Sequence, residues 1–558
     1  MQVPAVSHTV DVVFAEIWLV FVVAVALSCL AAWWTAHRYR IAMRRLMRLP
    51  PGAADPSAGP TPADAPVAPA ASLSLADSDR AGLRLSLELI AVSCLIALTS
   101  AVLWFALSSP GQPIAPKRVA VWALVQLWPV IPALGLVYRW RNLRVLAALA
   151  GWYLLCFGVL LWRAGEPGSV AQLTGFLGGN IGLPMVLVAL LCLSDAARAV
   201  APWLLLPFIA LVSTSMLGVD LLLALVKHGT RWASGGRGPL GAVGSIALFA
   251  VLPWLLAWWP LHLLGRAIGR AYARKWLSEL LVLFTAVWAI SLLILALSVF
   301  ADRGAAAVAM FLPLLWIPLV FTIVPRLRAE PGRPPTLLVL RVFQRDAQVQ
   351  DLFDHVVERW RLSGNTVLIA GTDLAIRTLD ADDIYTFLDG RLAARFIQTP
   401  PDVAPRLAAF DIARDADGRF RVNECYCHDS TWQQTLNALV ERSDVVLMDL
   451  RSFQVHNAGC RYELGALAGA QNIARVVVLT DGETDRAAAR SAIAGAPVER
   501  FVWVDTSVID ATKRREVLAS LFVGRGPAAA LRMATPRFRV DQTVPRIGST
   551  GSNRRDEA

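Results

Sequence analysis

Charge is scarce in this chain: Asp, Glu, Lys and Arg supply only 17% of its 558 residues, against 56% hydrophobic, with mean hydropathy +0.52. That shortage excludes one large soluble enzyme and fits a polytopic membrane protein carrying a soluble part. Cysteine is sparse as well. Of the seven, Cys29, Cys94, Cys156 and Cys192 fall inside apolar runs, where they behave as small hydrophobes, so no disulfide framework is implied. The first apolar run lacks a basic leader and is too long for a cleavable signal peptide, so it is expected to remain as an anchor. No internal repeat is visible. Gly235-Gly236-Arg237-Gly238 has no preceding strand and no lysine, which makes it a turn and not a phosphate loop. Cys425-Tyr426-Cys427-His428 lacks the second ligand pair that a zinc site with Cys460 and His456 would need, and no metal is expected.

The net charge of +11 does not mark a nucleic-acid binder. Residues 336–524 hold 21 Lys/Arg against 26 Asp/Glu, a balance of −5, so the remainder carries +16. That excess belongs to loops and tails beside apolar segments, where basic residues meet anionic lipid and fix orientation.

About nine apolar segments are long enough to span, centred near Val23, Leu95, Trp128, Leu155, Leu187, Val212, Leu252, Leu292 and Leu315. Prolines at 129, 132, 253, 260, 313 and 318 predict kinks. With the N-terminus outside, one side receives seventeen basic residues, from Arg38 to Arg328, and the other seven, which puts the C-terminal part in the cytoplasm. Asp220 in the sixth segment raises a transport or proton-relay reading, weighed against simple pairing with Lys227 near the interface. Residues 50–72, rich in Ala and Pro, and the tail over 525–558 read as disordered.

Residues 336–524 alternate strand and helix. Strands are predicted over 337–343, 366–370, 444–450, 475–479 and 500–504, and helices over 347–361, 382–392, 431–440 and 511–522. Residues 393–424 show no assignable pattern. The expected architecture is an α-helical membrane region over 1–328, then a doubly wound α/β domain with a mostly parallel sheet. Its centre is the stretch 449–481, where a strand ending in Asp449 leads to a polar loop with Asn457 and a helix with Cys460, Tyr462 and Glu463 in its first turn. Ligands of open α/β sheets sit beyond the carboxyl ends of the strands, so Glu463 is the candidate catalytic residue and the helix dipole is expected to keep it ionised. Asp373, in an acidic cluster with Asp380, Asp382 and Asp383, is kept as a pocket candidate, although helix capping explains such clusters equally.

Two patterns carry a family resemblance. Val342-Phe343-Gln344-Arg345-Asp346 stands where a Toll/interleukin-1 receptor (TIR) domain has a strand ending in Phe and a polar turn, though with Gln344 in place of the usual serine. Ala458-Gly459-Cys460-Arg461-Tyr462-Glu463-Leu464 matches the spacing of the TIR helix that bears the catalytic glutamate of NAD-cleaving members, without the Trp. Asp449, Asn457 and Tyr462-Glu463-Leu464-Gly465, followed by Ala468, match the nucleoside 2-deoxyribosyltransferases and related nucleotide-binding TIR-like proteins more closely. The domain therefore resembles these families. The resemblance implies cleavage of an N-glycosidic bond of NAD or a nucleotide, as substrate and with no separate cofactor. It assigns Glu463 to catalysis and Phe343, Arg345, Asp449, Asn457 and Tyr462 to substrate contacts, beside the pocket candidate Asp373. A carboxylate suits that chemistry because breaking a ribosyl–nitrogen bond builds oxocarbenium charge. The resemblance also implies self-association through the domain. The expected whole is a sensor or effector in a bacterial inner membrane, in contact with lipid. Two readings compete with it, a non-catalytic interaction module on a membrane anchor and a transporter with a regulatory domain.

Overall fold

A computed structural model of the protein describes residues 6–48, 73–164, 170–192, 195–227, 239–323, 332–341, 353–370, 386–387, 390, 392–428 and 430–522. The expected disordered segments 50–72 and 525–558, and the site candidates Phe343, Arg345 and Asp373, lie outside these residues.

The N-terminal part is helical. Seven helices among the described residues are long and apolar enough to cross a membrane: Leu19–Leu46, Leu75–Ser108, Asn142–Trp162, Leu173–Leu190, Val200–Leu225, Glu279–Phe300 and Gly304–Ile323. An eighth span results if Pro116–Gln126 and Val130–Val137, bent by 44° at the Trp128-Pro129 step, count as one. The remaining expected segment, near Leu252, meets helix Pro239–Ala273, whose apolar stretch Ala247–Ala257 is shorter than a span. The prolines act unequally. Pro129 coincides with a break, whereas Pro202 and Pro207 sit inside the continuous helix Asp195–Lys227. Asp220 is exposed on that same helix.

The C-terminal part is built on seven parallel strands: β1 (Thr336–Arg341), β2 (Asn365–Ala370), β3 (Phe396–Ile397), β4 (Val422–Cys427), β5 (Val445–Asp449), β6 (Arg475–Thr480) and β7 (Phe501–Asp505). Their order is β3-β4-β2-β1-β5-β6-β7. From β1 the chain first builds outward through β2, then returns to place β5 on the other flank, so the order reverses between β1 and β5, where Arg341 pairs in register with Asp449. Alternate residues feed two cores, because successive strand side chains point to opposite faces. Leu337, Val339, Leu447 and Val477 enter one, together with Trp360 and Leu518; Leu338, Leu340, Val446 and Val478 enter the other, together with Cys460 and Leu464.

The two parts meet over a polar and apolar junction. Tyr39 and Met43, at the end of helix Val6–Arg48, are fully buried in the first of the two sheet cores, and the Tyr39 hydroxyl lies 3.5 Å from that of Tyr426. Glu358, in the helical turn after β1, is half-buried. Burial alone would raise its pKa, but Arg139 from the bundle, then Arg361 and Arg419, hold it far below the usual carboxylate range. A second group joins Lys275 of the bundle to Asp411 and Asp415, and Arg421 stacks 3.6 Å over the Tyr272 ring while donating to the Tyr272 carbonyl at 2.7 Å. Asp417 beside it is buried, which would raise its pKa, yet the paired Arg419 lowers it.

Trimming Tyr39 and Met43 together to alanine is expected to lower the melting temperature of the full chain in detergent by about 5 °C or more, since large-to-small core changes cost about 2–5 kcal/mol each. An unchanged melt would show that this helix end is not part of the sheet core.

Candidate functional site

β5 ends at Asp449, and a tight loop leads into helix Ala458–Gly469. The loop is held from within. Asp449 accepts from Arg451 Nε at 2.8 Å and Nη2 at 2.6 Å, both residues being buried. Ser452 adopts a left-handed backbone (φ 60), one of three non-glycine residues to do so among the described residues, and its amide donates to Asp481 at the end of β6 at 3.0 Å. Such conformations cost about 1–3 kcal/mol and collect at functional loops. Asn457 Oδ1 accepts from the Gln454 amide at 2.8 Å, which closes the turn before the helix.

Glu463 lies in the second turn of the helix, not the first, because the helix begins at Ala458. It is only 7% exposed, turned inward together with Cys460, Leu464 and Leu467, and its Oε2 is buried with no hydrogen-bond partner. Burial pushes its pKa up to about 8. The expectation that the helix dipole keeps it ionised is thus corrected: desolvation outweighs a dipole whose influence is concentrated in the first turn. The neighbouring Cys460 thiol is likewise pushed up to about 12, first by burial and then by Glu463 and Asp449.

The other expected ligand residues divide. Tyr462 is half-buried at the margin of the second sheet core: its ring packs edge-on against Trp432 at 5.3 Å, and its hydroxyl accepts from Asn437 Nδ2 at 3.0 Å. It therefore ties two helices together. Asp449 is saturated by Arg451, and Asn457 is a loop-closing residue. The loop after β5 thus holds the Asp449–Arg451 pair and the Ser452–Asp481 contact, and Glu463 follows in the second turn of the helix that the loop opens. Arg451, two residues beyond the strand's terminal aspartate, was missed, although that spacing is the signal that would have found it. Cys425, Cys427 and His428 do not form a metal set; no group of three or more His, Cys, Asp or Glu residues arranged for a metal occurs among the described residues.

The buried carboxyl has a thermodynamic signature. Its folded pKa, about 8, exceeds the ordinary 4.5, so the folded state holds its proton more tightly. The contribution is therefore complete below about pH 4.5 and is lost as pH rises toward 8. In full-length protein, the stability difference between wild type and Glu463→Gln should move against wild type across this window, by at most about 1.4 kcal/mol per pH unit. A difference that stays flat from pH 5 to 8.5 would show that the carboxyl is solvated.

Compared with family models, curated proteins and solved structures, the chain matches none, so the reading of this site rests on its own geometry.

Proposed function

We propose that the protein is a membrane-anchored sensor or effector whose TIR-like, doubly wound α/β domain takes NAD or another nucleotide between the ends of β1 and β5 and cleaves its N-glycosidic bond with Glu463. The observation that carries this is a buried carboxyl without a hydrogen-bond partner on the helix that follows β5, one of the two strands between which the order reverses. Crevices at such reversals are the ligand sites of open parallel sheets. A carboxyl kept from water and from partners is a group whose environment has been tuned rather than merely tolerated.

The raised pKa decides how the residue works. At neutral pH Glu463 rests protonated. A cationic nicotinamide ring brought beside it favours the carboxylate, and the charge so created faces the ribosyl carbon as positive charge moves there from the ring. For a nucleotide with a neutral base, the same protonated carboxyl is set to donate to the leaving nitrogen. The interaction-module alternative draws on the other side chains, since Asp449, Asn457 and Tyr462 all serve the framework.

The junction supports a sidedness. The α/β domain contacts the bundle through Tyr39, Asp79, Arg139 and Lys275, which lie at or beside connections belonging to the more basic side. That side faces the cytoplasm by the positive-inside rule. A reporter fused after Arg328 is expected to be active only if it is of the cytoplasmic kind, and a periplasm-active fusion would overturn the orientation.

The chemistry is tested with purified full-length protein, monomeric and assembled, incubated with NAD and with nucleotides while base release is followed. Glu463→Gln should lower turnover by about 10² or more with ligand binding retained. If no base appears from any of them, or if the Gln variant matches wild type, the domain is an interaction module and the enzyme reading fails.

A further inference from the structure

A cavity of about 820 Å³ lies where the helical bundle meets the α/β domain. It is on the opposite sheet face from Glu463: the segment 353–360 and helix Ala511–Leu521 that wall it pack into the core containing Val356 and Leu518, whereas Glu463's helix packs into the other. Six arginines line it. Arg139, Arg141 and Arg144 come from the bundle turn around residues 138–144, and Arg359, Arg514 and Arg515 come from the α/β domain.

Positive-inside bias accounts for the first three arginines, because loops beside spans collect basic residues. It does not account for the other three. They belong to a segment whose balance over 336–524 is −5, yet that segment turns arginines toward the bundle's own basic rim. Like charges facing each other across a cavity repel unless an anion lies between them. The carboxylates present do not suffice. Asp79 is shared between Arg359 at 3.1 Å and Arg515 at 2.8 Å, and Arg139 is taken up by Glu358, with Asp354 3.9 Å away. Arg141 and Arg144 have no carboxylate partner among the described residues.

We infer that this cavity binds a ligand bearing two or more phosphate groups. Guanidinium forks match phosphate oxygens bidentately, and the volume falls in the range of about 300–1,000 Å³ typical of small-molecule sites, well beyond a single phosphate. Tyr138 and Trp140 on the wall add flat surfaces on which a base or a glycerol backbone packs. Both a nucleoside polyphosphate and a bis-phosphate lipid headgroup carry that chemistry, and the cavity's place beside the spans admits either. The site is independent of the Glu463 reading.

The test uses full-length protein purified in an uncharged detergent with phosphate-free buffer. One arm adds ATP or pyrophosphate; the other adds cardiolipin, with phosphatidylcholine as the uncharged control. Either phosphate source should raise the melting temperature, and the gain should shrink steeply with added salt. A response to ATP or pyrophosphate alone assigns a soluble ligand, and a response to cardiolipin alone assigns a lipid. Arg141→Glu with Arg144→Glu removes two arginines that hold no carboxylate, so the fold should survive and the apparent affinity should fall at least tenfold. Arg141→Lys with Arg144→Lys should retain a part of the binding. Glu463→Gln should leave it unchanged. The proposal is overturned if neither source shifts the melt, or if the Glu pair responds as strongly as wild type while melting normally without ligand.

Discussion

Glu358 is the contact on which the relation of the two parts depends. It is largely shielded from solvent, and the three guanidinium groups around it come from three places: Arg139 from the bundle, Arg361 from its own segment and Arg419 from the turn before β4. Removing one partner of a shielded pair destabilises, because the charge left behind is uncompensated. Arg361 is locked further by donating to the Phe420 carbonyl at 2.7 Å, which joins the segment after β1 to the entrance of β4.

The backbone is bent to make these contacts. Arg139 (φ 49) and Lys275 (φ 64) both take the left-handed conformation, each at a turn between bundle helices and each with its side chain in the domain's carboxylates. Strain of about 1–3 kcal/mol per residue persists only where its surroundings over-determine it, and here two ion-pair groups do so. Close approach adds a further condition. A Cβ at Gly82 would stand 3.1 Å from Arg359 Nη1 and 3.3 Å from Leu362 Cδ1, so the helix Leu75–Ser108 comes close against the domain there and a larger residue would make these side chains give way. The α/β domain is thus seated on the bundle rather than hung from a linker.

How much of this was legible depends on what holds each element. The strands at 337, 366, 445, 475 and 501 were readable because strands buried on both faces are runs of β-branched and apolar residues, as in Val476-Val477-Val478. β4 was not, because Val422-Asn423-Glu424-Cys425-Tyr426-Cys427 carries polar groups satisfied only in three dimensions: Asn423 brackets the Asp411 backbone at 2.8 and 3.0 Å, and the Tyr426 hydroxyl donates to Glu424. β3 has two residues and no pattern to read. At the site, the Tyr-Glu-Leu-Gly spacing located Glu463 on an inward helical face but could not report its protonation, which burial controls. The junction was invisible for another reason. Its arginines are placed in sequence by lipid topology, and only the fold reveals that some of them meet carboxylates.

Glu463 and the junction lie on opposite faces of the sheet, yet they share β1. Arg341 at its end pairs in register with Asp449, which begins the Glu463 loop, and the chain that continues from β1 supplies Glu358 and Arg359 to the bundle. Coupling between two sites requires an element whose arrangement both can bias. The turn Phe353–Val357 has the character of one, being wound as a π-helix, a form that appears mostly as single turns at functional positions. Its Val356 and Val357 pack in the same core as Leu337 and Leu447 on the β1–β5 seam. That turn and the β1–β5 seam thus share one core, while the helix bearing Glu463 packs into the core on the other face of the same strands.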